Sequence, residues 1–400
     1  MPITQYAIDH AKELGVTPKR LEHLEKMLHR WVDDGINPAI TARVMRSGHC
    51  VFEGSYGTTE TSPLPQSLKI DAIFPLASIT KPVIAVLLMQ LQEDGFIDLQ
   101  DRVSTYIPGF ENKDDIQIWH LLTHTSGIFD NYLQSAVNDH LKNEYGVELE
   151  ENCPHEEFVE KMLKVRLMMG LPLMDDRSRA AYDTRKIIEL KMPATLKPRE
   201  CMGYCNAGYQ YCRDIITNVC GESIDAVAKK KIFDPLGMFD SHWILPKEKW
   251  NRVVLRPEGC DGYPWQNSEG CFISESGAGG LKSTVYDITR FAEAIRCGGL
   301  LDGERILSPI SVRAMTSDLN HDMPNSYDSW AIGWNYRGAK YDDAGMVRPS
   351  TALDHGGFGG TKLLIDKENK LSWAFFSISK GSAKVWLFPL FTNIVYSALY

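Results

Sequence analysis

The sequence predicts an α+β fold in which an α/β domain with an antiparallel sheet is built from both ends of the chain and a helical domain is inserted between them. Strand patterns lie near both termini, and helical patterns occupy the middle of the chain to about residue 239. Beyond residue 240 the sequence changes to short strands and glycine-rich turns. We therefore expect one domain from residues 1–76 and 240–400 and a second from residues 77–239, with a site in the cleft between them.

The first elements are predicted to be an amphipathic helix and a β-hairpin. Thr17-Pro18 supplies a capping residue and a proline at the first helical position, and Gly35 ends the helix. The apolar face of this helix consists of Leu21, Leu24, Leu28, Trp31 and Val32. Residues 40–45 and 50–52 flank a short turn and are typical of paired strands.

The second helix, residues 79–94, is apolar nearly all round, which predicts that it lies in the core. At the other end of the chain, residues 363–366 and 371–379 predict a second hairpin. Residues 385–400 are uncharged but fall short of the roughly 20 apolar residues that span a bilayer. We expect a buried C-terminal helix there.

The composition excludes several classes of protein. The 400 residues are 44% hydrophobic and 24% charged, which is typical of a globular protein. The net charge of −9, with no basic block, argues against nucleic acid or an anionic membrane as a partner. The N-terminus has no apolar signal segment, and the nine cysteines form no C-x-x-C motif. We interpret them as reduced thiols in a cytoplasmic protein.

The first candidate for chemistry is Ser78-x-x-Lys81, at the start of the helix predicted for residues 79–94. There the two side chains share a face, and the helix N-terminus offers backbone N–H groups for an oxyanion hole. The same spacing at Ser377 and Lys380 falls in a predicted strand, where side chains three apart face opposite sides. A capping serine followed by a solvated lysine is the structural alternative. G-x-S-x-G, H-E-x-x-H and P-loop motifs are absent.

Two further motifs support a catalytic interpretation. Tyr204-Cys205-Asn206 is the only Tyr-x-Asn among sixteen tyrosines. A tyrosine beside a lysine can relay protons, and an asparagine two residues later can hold both the lysine and a substrate carbonyl. His355-Gly356-Gly357 leads into the strand predicted near residue 361, and glycines at a strand edge let a substrate approach closely.

These motifs, in this order, resemble the serine β-lactamase and penicillin-binding-protein superfamily, in its class C-like, esterase and lovastatin-type acyltransferase branch. Three more stretches agree with the resemblance: Leu-Leu-Thr-His-Thr-Ser-Gly at 121–127, Pro-Leu-Gly-Met at 235–238 and Ala-Gly-Gly-Leu-Lys-Ser-Thr at 278–284. The resemblance extends over roughly residues 40–380. It implies the fold and two-step acyl transfer of that superfamily.

The resemblance also implies roles for individual residues. Ser78 would be the acylated nucleophile and Lys81 its general base. Tyr204 would shuttle the proton to and from the leaving group, and Asn206 would orient Lys81 and the substrate. The backbone N–H groups of Ser78 and Phe358 would form the oxyanion hole.

One departure bears on the substrate. β-Lactamases and cell-wall carboxypeptidases have Lys-Thr-Gly where this chain has His355-Gly356-Gly357, and that lysine normally receives a substrate carboxylate. Histidine is common there in the esterase-like members. His355 could assist Tyr204 electrostatically or could be a hydrogen-bonding residue of the strand edge.

Other residues have both a functional and a structural interpretation. Trp334, with Trp330 and Tyr336, alternates as on one strand face, and these side chains could wall the pocket beside Gly356 and Gly357 or pack the sheet. Residues 161–174 could be a lid over an acyl pocket or ordinary helical core.

We predict no metal and no cofactor. His120 and His124 are spaced four apart but need a third ligand, and His124 is already explained by the turn motif.

The leading hypothesis is a cytoplasmic serine hydrolase, esterase-like, acting on small carboxylic esters or amides through an acyl-Ser78 intermediate. An acyltransferase that moves the acyl group to an alcohol or amine is the nearest alternative. Two further alternatives are a β-lactamase or D-Ala-D-Ala peptidase, and a non-catalytic binding protein with the same fold. The partner is expected to be a small molecule, and the sequence leaves the acyl group, the acceptor, the stereopreference and the oligomeric state open.

Overall fold

The computed structural model describes residues 3–59, 66–150, 153–323, 329–340, 344–380 and 384–400. The chain divides into two compact units, a larger one of Met1–Ile97 with Val219–Tyr400 and a smaller one of Asp98–Asn218. The smaller unit contains fewer residues than the helical domain predicted for residues 77–239. The predicted boundary is corrected because the buried second helix and the chain after residue 218 pack within the larger unit.

Most of the strands belong to one antiparallel sheet of the larger unit. The described strands are β1 (Ala39–Arg46), β2 (His49–Thr59), β3 (Gln66–Ser67), β4 (Phe74–Pro75), β5 (Lys282–Ser283), β6 (Leu300–Leu301), β7 (Glu304–Arg305), β8 (Trp330–Ala331), β9 (Trp334–Tyr336), β10 (Leu353–Gly357), β11 (Thr361–Asp366) and β12 (Leu371–Ser377). Eight of them form a sheet in the order β3-β2-β1-β12-β11-β10-β9-β8, while β4 pairs with β5 and β6 with β7. The pairing of β1 with β12, from Ile40↔Ser377 to Arg46↔Leu371, joins the two ends of the chain and confirms the predicted architecture.

The helices follow the predicted distribution. In the larger unit they are α1 (Gln5–Asp9), α2 (Ala11–Leu14), α3 (Pro18–Asp33), α4 (Thr80–Glu93), α10 (Ile224–Ala228), α11 (Glu269–Phe272), α12 (Val285–Arg296), α13 (Pro309–Met315) and α14 (Lys384–Ser397). The smaller unit contains α5 (Ile118–Leu122), α6 (Asp130–Tyr145), α7 (His155–Met168), α8 (Arg177–Lys191) and most of α9 (Asn206–Cys220). No helix in the described part of the chain has the length and apolar character needed to cross a membrane.

The helices α3 and α14 cover one face of the sheet. Pro18 occupies the first turn of α3, as predicted, and the helix buries one apolar stripe of Leu21, Leu24, Leu28 and Trp31. In α14 the rings of Phe388 and Phe391 lie 5.8 and 4.9 Å from that of Phe375 in β12. Because these side chains share one hydrophobic cluster, both ends of the chain are held by the same core.

The helix α4 is buried on all sides. Its residues from Thr80 to Leu91 are all buried, and a short 3₁₀ turn, Ala77–Ile79, precedes it. Pro82 is accommodated because the first turn of a helix needs no hydrogen bond from that backbone nitrogen. The predicted core helix is therefore confirmed, and its N-terminal turn lies inside the unit.

The segment around Trp334 differs from the prediction. Trp330 and Trp334 do not lie on one strand, because Gly333, with φ of +79°, turns the chain between β8 and β9. Trp334 is fully buried, and its ring stacks 6.2 Å from that of Phe291 in α12. It packs the sheet against a helix, which corrects its predicted contact with substrate.

The smaller unit places residues 161–174 partly in its core. Met162 and Val165 of α7 are buried, whereas Leu167 and Met168 are exposed. The buried Arg166 donates from Nε to the carbonyl of Pro172 at 2.6 Å, which ties the end of α7 to the following loop.

We predict that Leu24→Ala lowers the free energy of unfolding by about 2–5 kcal/mol, because it leaves a cavity in the core between α3 and the sheet. Denaturant titration measures the change. Lys26→Ala, on the exposed face of the same helix, is the control and should stay within about 0.5 kcal/mol of wild type. Equal effects of the two substitutions would contradict this packing.

Candidate active site

The side chains of Ser78 and Lys81 are hydrogen-bonded in the larger unit. Ser78 lies in the 3₁₀ turn and Lys81 in the first turn of α4, so the side chains emerge one turn apart. Lys81 Nζ lies 3.0 Å from Ser78 Oγ and also donates to the carbonyl of Ala278 at 3.0 Å. Lys81 has no exposed surface. The structure therefore brings together the two residues that the sequence predicts as nucleophile and base.

The glycine-rich segment at 278–281 supports the serine turn. The Leu281 N–H donates to Thr80 Oγ1 at 3.0 Å, and the Leu281 carbonyl accepts the N–H of Leu76 at 2.8 Å. Thr80 Oγ1 in turn donates to the carbonyl of Ala77 at 2.7 Å. Ala77 has φ of +47°, a strained conformation for a residue with a side chain. These contacts hold the strained residue directly before the nucleophile.

The end of β10 lies against the same turn. A Cβ atom on Gly357 would collide with the carbonyl oxygen of Leu76 and with Thr361 Oγ1, so only glycine allows this approach. Thr361 Oγ1 donates to the Leu76 carbonyl at 3.1 Å. Phe358, the second predicted oxyanion residue, follows Gly357 directly. The larger unit thus places the loop carrying the Phe358 backbone beside the Ser78 turn.

His355 is a buried, neutral residue of β10. Its Nδ1 lies 2.9 Å from the carbonyl oxygen of Gly356, which makes Nδ1 the protonated nitrogen, and its ring meets the edge of Trp330 at 5.8 Å. Burial, and then the positive charge of Lys81, lower the pKa of His355 to about 3. The imidazole therefore adds no positive charge to the site at neutral pH.

A buried charge network lies behind the His-Gly-Gly strand. Lys362 Nζ lies 2.7 Å from Asp354 Oδ1, and Arg348 bonds the other carboxylate oxygen. A Cβ atom on Gly356 would make ordinary contact with the Lys362 side chain, at 3.6 Å. Burial alone would raise the pKa of Asp354, but Lys362 and Arg348 hold it below its usual range. This network was not predicted from the sequence, because its members look like ordinary surface charges there.

In the smaller unit, Asp130 positions the Tyr-x-Asn motif. Its carboxylate accepts the backbone N–H groups of Asn206 at 2.8 Å and Ala207 at 3.0 Å, and the side-chain Nδ2 of Asn206 at 2.9 Å. The Cys205 thiol adds a fourth contact at 3.3 Å. An acidic side chain at a helix N-terminus also complements the dipole of α9. The sequence analysis missed Asp130, because no local signal links it to residues 76 positions away.

His124 supports the same motif from the other side. Its Nδ1 accepts the N–H of Cys205 at 3.1 Å, and its ring lies 4.4 Å from the Tyr204 ring, whose side chain is partly exposed. His120 Nδ1 accepts a different backbone N–H, that of Gln117, at 3.0 Å. The two histidines therefore have separate positioning roles. The described residues contain no group of His, Cys, Asp and Glu side chains that could hold a metal ion.

We predict that acid weakens the fold through His355. Its folded pKa, about 3, is below the unfolded value of 6.5, so the unfolded state binds the proton first. The stability that comes from keeping His355 neutral is fully present above pH 6.5. It falls by about 1.4 kcal/mol for each pH unit below that value. The buried His120, whose pKa burial lowers to about 4, adds a slope of the same sign. His355→Gln should therefore make the measured slope shallower between about pH 7 and 5 in denaturant titrations, whereas His23→Gln, on the exposed face of α3, should leave the slope unchanged. Identical slopes in both variants would argue against a buried, uncharged His355.

Comparison with known proteins finds relatives with penicillin-binding-protein and peptidase names. Curated relatives include penicillin-binding protein 4 of Amycolatopsis lactamdurans, 26% identical over 293 residues, with 69% of this chain and 64% of that protein covered. The D-alanyl-D-alanine-carboxypeptidase/endopeptidase AmpH of Escherichia coli (strain K12) is 23% identical over 318 residues, covering 76% of this chain and 70% of that protein.

Solved structures share the fold. A family VIII carboxylesterase has a TM-score of 0.70 at 17% identity, covering 96% of this chain and 99% of that one. Simvastatin synthase (LovD) from Aspergillus terreus has a TM-score of 0.69 at 17% identity, covering 94% and 98%. The family described as Beta-lactamase matches residues 25–386, which is most of the sequence. The chain therefore belongs to the beta-lactamase family of serine enzymes and their penicillin-binding-protein-like relatives.

Proposed function

We propose that this protein is a serine acyl-transfer enzyme that forms an acyl-Ser78 intermediate and hydrolyses small carboxylic esters or amides. The observation that carries the proposal is the buried Lys81 nitrogen, 3.0 Å from Ser78 Oγ at the start of a core helix. A serine hydroxyl is a weak nucleophile until an adjacent base removes its proton. Lys81, in its amine form, is that base.

In the proposed acylation step, Ser78 Oγ attacks the substrate carbonyl carbon as its proton moves to Lys81. The oxygen that becomes negative accepts the backbone N–H groups of Ser78 and Phe358. Collapse of the tetrahedral intermediate breaks the bond to the leaving alcohol or amine, which takes its proton through Tyr204. Water then attacks the acyl-Ser78 carbonyl by the reverse sequence and releases the acid.

Asn206 is proposed to orient Lys81 and the substrate. Its amide nitrogen donates to Asp130, and in the proposed role its amide oxygen accepts a hydrogen bond from the Lys81 nitrogen. Gly356 is proposed to lie beside the acyl chain, because a strand edge without a side chain lets a substrate approach closely. The space that a Gly357 side chain would fill is taken by the Leu76 carbonyl and Thr361 Oγ1, so Gly357 holds the strand against the serine turn instead of contacting the acyl chain.

The preference for neutral substrates follows from the His-Gly-Gly strand. Where cell-wall peptidases carry a lysine for a substrate carboxylate, this chain carries His355, which is neutral at physiological pH. The nearby Lys362 is paired with Asp354. Esters and uncharged amides are therefore favoured over β-lactams and D-Ala-D-Ala peptides, although relatives such as AmpH carry peptidase names. The nine cysteines, all among the described residues, form no disulfide, which supports the proposed cytoplasmic location.

We predict that wild-type protein mixed with p-nitrophenyl butyrate gains one butyryl group on Ser78, detected by intact-mass spectrometry and peptide mapping. Ser78→Ala should form no adduct. Lys81→Ala and Tyr204→Phe should slow adduct formation by about 10²–10⁴-fold, since each removes a proton-transfer group.

Ser397→Ala, an exposed serine of α14, is the control and should match wild type. If the wild type releases no nitrophenol and forms no adduct with short or medium acyl chains, generic esterase activity is excluded. The non-catalytic binding protein then becomes the better hypothesis.

An acyltransferase is the second candidate, because the fold extends to a hydrolase with promiscuous acyltransferase activity and to simvastatin synthase. We expect water to be the main acceptor, so that adding 1-butanol or glycinamide leaves the lifetime of the butyryl-enzyme nearly unchanged. Chromatography of the products measures the partition. A lifetime that shortens with acceptor concentration, with matching butyl ester or amide, would assign the transferase instead.

A further inference from the structure

We propose that Arg256 and Gln266 are positioning residues that fix the backbone at Phe358 so that its N–H points at the reacting carbonyl oxygen. The inference rests on the proposed function and concerns the same site. Neither residue belongs to the motifs that identify the family in this sequence. Both lie in the segment between residues 256 and 267 of the larger unit.

The two side chains hold consecutive carbonyl groups of one turn. Gln266 Nε2 donates to the Phe358 carbonyl at 3.1 Å, and Arg256 Nη1 donates to the Gly359 carbonyl at 2.8 Å. Both side chains are almost fully buried, with exposed fractions of 4% and 1%. The peptide groups that follow Phe358 therefore cannot rotate without losing a buried hydrogen bond.

Gly359 shows how closely these side chains pack under the turn. A Cβ atom there would lie 2.8 Å from Gln266 Oε1 and 2.9 Å from Arg256 Nη2. Gly359 has φ of +96°, a conformation that residues with side chains rarely adopt. Glycine is thus required both for the backbone angle and for the approach of the two polar groups.

The peptide group before Phe358 is fixed as well. The Gly357 carbonyl accepts the N–H of Gly360 at 3.2 Å, which sets the plane that contains the Phe358 N–H. Gln266 sets the next plane through the Phe358 carbonyl. With both planes held, the Phe358 N–H is preorganised, and preorganised donors are the source of oxyanion stabilisation.

The supporting segment is itself rigid. Asn267 closes a reciprocal pair with the backbone of Arg256, accepting its N–H at 2.8 Å and donating to its carbonyl at 2.9 Å. The two ends of the segment therefore move together, and Arg256 and Gln266 reach the turn from one fixed base.

Burying the charged side chain of Arg256 is unfavourable, because most of its nitrogen atoms are removed from water without a hydrogen-bond acceptor in the described part of the chain. Its Nε and Nη2 are buried with no hydrogen-bond partner among the described residues, and burial lowers its pKa to about 10. An apolar side chain of similar volume would avoid that desolvation. Its remaining bond, to the Gly359 carbonyl, is the contact that such a side chain could not supply.

The test makes the same substitution, glutamine to leucine, at two positions: Gln266→Leu and Gln90→Leu. Gln90 is a buried glutamine of α4 whose amide also donates to backbone carbonyls, those of Lys231 and Ile306, away from the Phe358 turn. We expect Gln266→Leu to lower kcat for p-nitrophenyl butyrate by about 10-fold or more with KM within about twofold, because the loss falls on the transition state. Gln90→Leu should retain wild-type kcat.

Inactivation by a p-nitrophenyl alkylphosphonate provides the second readout, since its tetrahedral adduct needs the same oxyanion donors. Its rate should fall in Gln266→Leu by the same factor as kcat/KM and stay unchanged in Gln90→Leu. A merely structural role predicts equal, small losses in both variants and overturns the proposal.

Rates are taken at a temperature where circular dichroism shows each variant folded. If Gln266→Leu does not fold, Gln266→Met is used, because methionine keeps the volume and removes the hydrogen-bond donor. A Gln266→Met variant with the same kcat as wild type would also overturn the proposal. Arg256→Lys keeps a donor and should recover part of the activity that Arg256→Met loses. An inactive wild type would instead count against the proposed function itself.

Discussion

The buried side-chain nitrogen of Lys81 is the constraint on which the larger unit's site depends. A lysine nitrogen without exposed surface requires oxygen acceptors, and Ser78 Oγ and the Ala278 carbonyl are two of them. The largely apolar helix α4 carries Lys81 in its first turn, and the 3₁₀ turn before it carries Ser78. The segment at 278–281 packs against these turns. The strained Ala77 is held by Thr80 and Leu281, so the segment at 278–281 supports both the turn that carries the nucleophile and the buried base.

Close backbone approach is the second organising feature of this unit. Gly357 lies against the Leu76 carbonyl at the turn that precedes Ser78, and Gly359 lies over Arg256 and Gln266. Because neither position has room for a side chain, the strand edge and the loop after it are set by polar groups buried beneath them. The backbone of the strand edge and of the turn after Phe358 is therefore held from the core side.

In the smaller unit, a carboxylate holds the backbone of the Tyr-x-Asn motif. The Tyr204–Asn206 loop ends where α9 begins, and the free N–H groups of that helix end converge on the carboxylate of Asp130. His124 holds the preceding peptide and stacks near the tyrosine ring. A single carboxylate thus completes the helix and orients the Asn206 amide, which links the stability of this unit to the orientation of its motif residues.

The sequence by itself determined the periodic elements and the local motifs. Helices α3 and α4 and the two terminal hairpins follow from apolar spacing and turn residues, and Ser78 with Lys81 follows from one helical turn. Only the tertiary structure decided what depends on distant pairing: the joining of β1 to β12, the burial of Trp334 after the Gly333 turn, and the placement of Asp130, Lys362, Arg256 and Gln266. These polar side chains carry no local signal, because a buried charge and a solvated one look alike in sequence until the chain brings their partners together.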